Sequence, residues 1–288
     1  MRRVEIVLSK EAFAPGERID GKVVSICDKS FDCNRVTLSL RGEEMSRIVH
    51  GSGKSSHVHM EKKEHISEEM ELLGPCEVPE GENACEFSLV LPEHLPASFA
   101  GTYSHIEYVM KANIEISRAL DQGCKKMIFV QRTLPPLIPS ENKGVIEQDG
   151  TPIVSVELEK DIVQPGQILP VRFMVSGDQK FRAVRMQIIT RESVAPNGNH
   201  AQYDNALVEA YRRKEDINQE TWNEIALEVP LHCIPPFKTD LIDFTYWLKA
   251  TLDIAWQFDK VLFMPLRFSL EYREPDDSEG HMKPKFWS

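Results

Sequence analysis

Residues 87–116 read FSLVLPEHLPASFAGTYSHIEYVMKANIEI, and their second half alternates without a break. Ile106, Tyr108, Met110, Ala112, Ile114 and Ile116 fall on one side, with Glu107, Lys111, Asn113 and Glu115 on the other. A period of two with one apolar and one mostly charged face is the mark of a half-buried antiparallel strand. The pattern returns 138 residues later (225 − 87), where Phe87, Leu89, Leu91 and Pro92 become Ile225, Leu227, Val229 and Pro230. In the same frame the apolar face becomes Phe244, Tyr246, Leu248, Ala250, Leu252 and Ile254, and Lys111-Ala112 becomes Lys249-Ala250. The chain is built on two copies of one β unit.

The start of each copy agrees. Val4, Ile6 and Leu8 alternate with polar residues and lead to the turn Pro15-Gly16-Glu17. At an offset of 150 (154 − 4), Val154, Val156 and Leu158 lead to Pro165-Gly166. Proline then glycine is the order a tight turn requires. Val36, Leu38 and Leu40 form a further strand, answered by Val184, Met186 and Ile188. A repeat longer than a hundred residues is a domain duplication and not a solenoid. Short alternating strands with Pro/Gly punctuation predict an all-β chain of two tandem immunoglobulin-like β-sandwiches. The expected boundaries are 1–134 for the first sandwich, 135–151 for a linker that starts Pro-rich, 152–272 for the second sandwich, and 273–288 for an acidic and aromatic tail. Residues 140–150 are then the expected first site of limited proteolysis. The run 204–216 fits a short helix or a strand, and tertiary context favours the strand.

Composition limits the function. The net charge is −11 over 288 residues, and each half is acidic: 17 basic against 21 acidic residues up to position 140, then 17 against 24. General affinity for nucleic acid or anionic lipid is excluded on that balance. No apolar run approaches the ~20 residues of a membrane-spanning helix. Glu5, Ser9, Lys10 and Glu11 interrupt what Met1-Arg2-Arg3 would begin as a signal peptide. Six cysteines without a Cys-x-x-Cys, five in the first copy and one in the second, predict reduced thiols and a cytoplasmic protein. No nucleophile elbow, zinc helix or P-loop is present, so an enzyme is not expected.

Several motifs together carry a resemblance. Pro15-Gly16-Glu17, the run Ile19 to Val24, the run Val36 to Glu44, Phe87 to Pro92, Leu95 to Phe99 and Ile106 to Ala112 resemble the arrestin N-terminal domain. Pro165-Gly166 and Tyr246-Trp247-Leu248-Lys249-Ala250 are similar to its C-terminal domain. The resemblance is strongest to the α-arrestins and arrestin-domain-containing proteins, and extends in outline to the arrestin-like subunits of retromer-type coats. It implies the arrestin fold and a non-enzymatic adaptor or scaffold that binds tails of membrane proteins in trafficking or signalling. It also implies protein partners, no cofactor, no nucleic acid, and membrane association only through those partners. The alternatives are a retromer-like coat subunit and a metal- or sugar-binding sandwich. The Pro-Pro-x-Tyr motif of eukaryotic α-arrestins is missing, because Pro135-Pro136 and Pro235-Pro236 lack the tyrosine.

Candidate partner-binding residues lie in three places. Residues 47–65 hold four of the nine histidines and a Gly/Ser-rich tip, so Lys54, His57, His59, Lys62 and Lys63 are expected to meet an anionic partner segment. His57 and His59 share a strand face, but no cysteine or carboxylate completes a metal set, and none is assigned. Arg212-Arg213-Lys214 is the densest basic run. Phe286 and Trp287 end the tail and are expected to anchor it as a displaceable latch.

Overall fold

The structure is a computed structural model and describes residues 2–51, 56–132, 134–177 and 180–270. It forms two compact units. The first comprises Met1–Thr133 with two later segments, Glu192–Tyr203 and Phe237–Asp243. The second comprises Leu134–Arg191, Asp204–Pro236 and Phe244–Ser288. The residues of the tail latch, Phe286 and Trp287, and of the loop tip, Lys54, lie outside the described residues.

Up to residue 130 the strands are β1 (Arg2–Leu8), β2 (Ala12–Phe13), β3 (Arg18–Cys27), β4 (Phe31–His50), β5 (His57–Leu73), β6 (Cys76–Val78), β7 (Gly81–Val90), β8 (Phe99–Ala100), β9 (Ser104–Ile116) and β10 (Gln122–Val130). A small sheet runs β1-β3-β7, and a large one runs β2-β10-β9-β4-β5, with β6 on β4 and β8 on β9. Ile19, Val23, Phe87 and Leu89 line the inner face of the small sheet; Leu38, Leu40, Tyr108, Met110 and Ala112 line that of the large one. The apolar side of residues 106–116 is thus the core side.

From residue 142 the strands are β11 (Asn142–Gln148), β12 (Thr151–Leu158), β13 (Ile162–Val163), β14 (Ile168–Val175), β15 (Ala183–Val194), β16 (Ala201–Arg213), β17 (Asn223–Glu228), β18 (Phe237–Lys238), β19 (Ile242–Asp253) and β20 (Lys260–Phe268). Their sheets are β11-β12-β14-β17 and β13-β20-β19-β15-β16, with β18 on β19. β12, β14 and β17 take the places of β1, β3 and β7; β13, β20, β19, β15 and β16 take those of β2, β10, β9, β4 and β5. The fold is an arrestin-type pair of β-sandwiches, and no α-helix occurs among the described residues.

The duplication holds bond by bond. Tyr108 pairs with Ile128 on β10, and Tyr246 with Leu266 on β20, the same register after the 138-residue offset. Each tyrosine hydroxyl donates 2.7 Å to a carbonyl twelve residues upstream, Pro96 O and Ile234 O. Burial pushes both phenols far above their ordinary range, so each stays a neutral donor. The short parallel pairs β2/β10 and β13/β20 also match. In the turns, Gly16 N donates 2.9 Å to Leu91 O and Gly166 N donates 3.1 Å to Val229 O. Both glycines have positive φ, 80° and 75°, which is why glycine follows proline there.

The run 204–216 is strand to Arg213 and a 3-10 turn over Lys214–Asp216. The expected linker, 135–151, is a correction. Asn142–Gln148 is β11, paired with β12 from Asn142↔Leu158 to Gln148↔Thr151 and burying Ile146. Polar residues on its outward positions hide the alternation, and Gly144 lets β11 pass close to Leu262 and Met264. The part before it is tied down too: Arg267 donates to Ile138 O (2.9 Å), Ser140 Oγ (3.1 Å) and both carboxylate oxygens of Asp161 (2.6 and 2.7 Å). Residues 140–148 are therefore not the expected first cleavage site.

Burial pushes the Asp161 carboxyl up, but the Arg267 fork and the Ser140 N–H outweigh it and hold it below its ordinary value of 3.8. A carboxylate lowered in the folded state stabilises above its unfolded pKa and loses that effect as pH falls through the folded value. Asp161→Asn is expected to cost about 1 kcal/mol at neutral pH, a modest figure because Arg267 is partly in solvent. The Tm gap between wild type and variant should close as pH drops below 3.8; a gap independent of pH would contradict the assignment.

Candidate functional site

The hairpin of β4 and β5 carries the first group of candidate residues. It is longer than the loop the sequence implies, since pairing continues to His50↔His57. Polar side chains on both faces conceal its period of two. His57 is exposed; His59 is half-buried, its ring 5.3 Å from that of His50 and its Nδ1 3.1 Å from the Asn199 amide nitrogen. Lys62 is paired with Glu43 at 2.6 Å, and Lys63 with Asp240. That hydrogen bond raises the Lys63 pKa and lowers that of Asp240. Two of the three lysines expected to hold an anion are thus already engaged by carboxylates. Among the described residues no cluster of three His, Cys, Asp or Glu side chains is placed to hold a metal.

The first unit also buries two carboxylates, Glu44 on β4 and Glu192 on β15. Glu44 is fully buried and bonds to His65 Nε2 at 2.8 Å and to the Thr239 hydroxyl. Glu192, 3% exposed, accepts from Thr102 N (2.6 Å), Tyr103 N (2.9 Å) and Ser104 Oγ (2.6 Å). Gly101 leaves the room: a Cβ there would sit 2.6 Å from the Glu192 carboxylate. These groups are saturated by structural bonds. Their alternation marks them as inward, but nothing in the chain order says which donors they meet.

In the second unit, Arg212 and Arg213 are exposed on β16, and Arg213 lies 3.9 Å from Glu215. Lys214 is set over the Phe181 ring at 5.3 Å. The basic run is therefore spread over a strand end and a turn. Arg191 bonds Asp204 at 2.7 and 2.8 Å and lies between Trp247 (5.0 Å) and Phe263 (4.8 Å). Trp256 and Phe258, on the turn between β19 and β20, are fully exposed. All six cysteines are free thiols, and burial pushes Cys33 up to about 11, so it is a poor nucleophile.

Residues 3–135 match a family model described as arrestin (or S-antigen), N-terminal domain. The chain is arrestin-like. A curated relative, arrestin domain-containing protein 17 of Caenorhabditis elegans, is 28% identical over 132 residues. That alignment covers 39% of this arrestin-like chain and 30% of the relative. No helix among the described residues is long and apolar enough to cross a membrane.

Proposed function

We propose that this arrestin-like chain is a non-catalytic adaptor that binds cytosolic segments of membrane proteins in trafficking or signalling, in the cytoplasm and at membranes reached through those partners. The observation that carries this reading is the arrestin-type pair of sandwiches with its family match over residues 3–135. Two long strands support it. β5, with 17 residues, and β16, with 13, each end their sheet and carry mostly exposed side chains. A long open edge exposes unpaired backbone groups, which a partner strand can extend. The exposed Trp256 and Phe258 add apolar surface suited to a protein partner.

The competing reading is a coat subunit, in which the chain would be held in permanent assembly. An adaptor should run as a monomer in analytical ultracentrifugation and exchange its partner within seconds to minutes. A chain that leaves the native cell only as part of a fixed-stoichiometry complex, without exchange on dilution, would replace the adaptor reading with the coat reading.

A further inference from the structure

Three of the six thiols gather inside the first sandwich. Cys33 on β4 and Cys76 on β6 are direct partners in the antiparallel ladder, in the order Phe31↔Val78, Asp32↔Glu77, Cys33↔Cys76. Opposite residues of such a pair have Cα atoms about 4.5–5.5 Å apart and send their side chains to the same face. Phe31, Cys33 and Val78 are buried, so that face is the inner one. A disulfide needs Cα atoms about 4.4–6.8 Å apart, and the ladder supplies that separation without moving the backbone.

The two thiols differ in access. Cys33 is 3% exposed, whereas Cys76 is half-buried and within reach of a small reagent. Cys76 also sits on a short element: β6 has three residues, follows Gly74-Pro75 after β5, and is attached through its pairing with β4. Burial pushes the Cys33 thiol up to about 11, and the neighbouring Cys76 and then Cys85 add to the effect. A thiol that resists ionisation gives the reduced form none of the stabilisation that makes a disulfide strongly oxidising, so the oxidised form is favoured once made. Cys85, the third thiol of the group, comes from the small sheet, opposite the buried Val23. Stacked sheets lie about 10 Å apart, beyond the ~7 Å that a disulfide can bridge, so the ladder makes Cys33 the partner of Cys76.

We propose that Cys33 and Cys76 form a reversible redox site, closed to a cross-strand disulfide by a small-molecule disulfide of the glutathione class. The Cys76 thiolate attacks one sulfur of the oxidant, forming a mixed disulfide and releasing one thiolate. Cys33, after giving its proton to solvent, attacks Cys76 Sγ, forming the Cys33–Cys76 bond and releasing the second thiolate. Two protein thiols lose two electrons, and one disulfide is reduced to two thiols that take up the two protons. The bond closes a loop of 44 residues (76 − 33 + 1) and fastens β6 to β4. Excess reduced thiol reverses it. The site is independent of the adaptor reading, and either can fail alone.

The test uses the full chain, equilibrated with mixtures of oxidised and reduced glutathione, quenched by alkylation, and cut with trypsin and a glutamate-specific protease. Glu77, Glu80 and Glu82 lie between Cys76 and Cys85, so the digest separates those two thiols. Mass spectrometry should find the peptide of Cys33 joined to that of Cys76. The oxidised chain should melt roughly 5–10 °C above the reduced one. The equilibrium constant for closing Cys33–Cys76 should be at least ~30-fold larger in the native chain than in urea, since a bond that stabilises the fold is favoured by the fold to the same extent. Cys76→Ala, at a half-buried position, should abolish both the link and the shift, while its reduced form melts within about 3 °C of wild type. Cys85→Ala should keep both. A Cys76–Cys85 link, glutathione adducts that never resolve, or a closure constant no larger than in urea would overturn the proposal.

Discussion

Gly42→Ala should lower the melting temperature of the first unit by roughly 10 °C, and Gly42→Val should prevent it from folding. A Cβ at position 42 would lie 2.4 Å from Tyr108 Cε1 and 2.8 Å from Ile66 Cγ2. Tyr108 cannot retreat, because it is fully buried and its hydroxyl is bonded to Pro96 O. Overpacking a dense core costs about 1–3 kcal/mol or more per added group. At ~2–4 °C per kcal/mol the upper end of that range gives the stated shift, and valine brings the cost close to the ~5–15 kcal/mol that holds a domain together. Removing the obstacle should restore stability: Tyr108→Leu in the Gly42→Ala background is expected to melt above Gly42→Ala alone. Tyr108→Phe by itself should cost only about 1–2 kcal/mol, the loss of one buried hydrogen bond. Scanning calorimetry settles the matter, and Gly42→Ala melting within about 2 °C of wild type would contradict the packing described for this strand.

Glu192→Ala is expected to be nearly as severe, at about 3 kcal/mol. Truncation leaves Thr102 N and Tyr103 N, whose bonds are part-buried, without the buried Glu192 acceptor they now share. Each unsatisfied buried donor costs about 1–3 kcal/mol, and the two are not additive. Glu192→Gln keeps an oxygen acceptor and should lose less than half as much. Gly101→Ala reaches the same result from the other side by filling the space the carboxylate occupies. Hydrogen exchange at Thr102 and Tyr103 provides the local readout. If both amides stay protected in Glu192→Ala, the carboxylate is not what holds them.

Much of the architecture was readable from period and repetition. The 138-residue offset seen in the side chains of residues 87–116 reappears in strand register, in the tyrosine hydroxyl bonds and in the turn bonds. Such features are local, so alternation and turn residues report them. β11 escaped notice because Pro-rich and polar residues around it outweigh three weak inward positions. The sites were less readable, because they depend on which strand lies next to which. Lys63 meets Asp240 across 177 positions of sequence, and Glu44 meets Thr239 across 195. Cys33 and Cys76 stand 43 positions apart (76 − 33) with no spacing that marks them as a pair, yet the register sets them opposite one another.

The central claim is that the chain works by binding segments of other proteins. The most direct measurement is anisotropy of the purified full chain, at physiological salt, against an array of cytosolic segments of membrane proteins from its own cell, each with and without phosphoserine. The account predicts saturable one-to-one binding of a subset, with Kd in the range of roughly 1–100 μM expected of a transient contact. Binding by no segment, phosphorylated or not, beyond that of an unrelated acidic β-sandwich would contradict it.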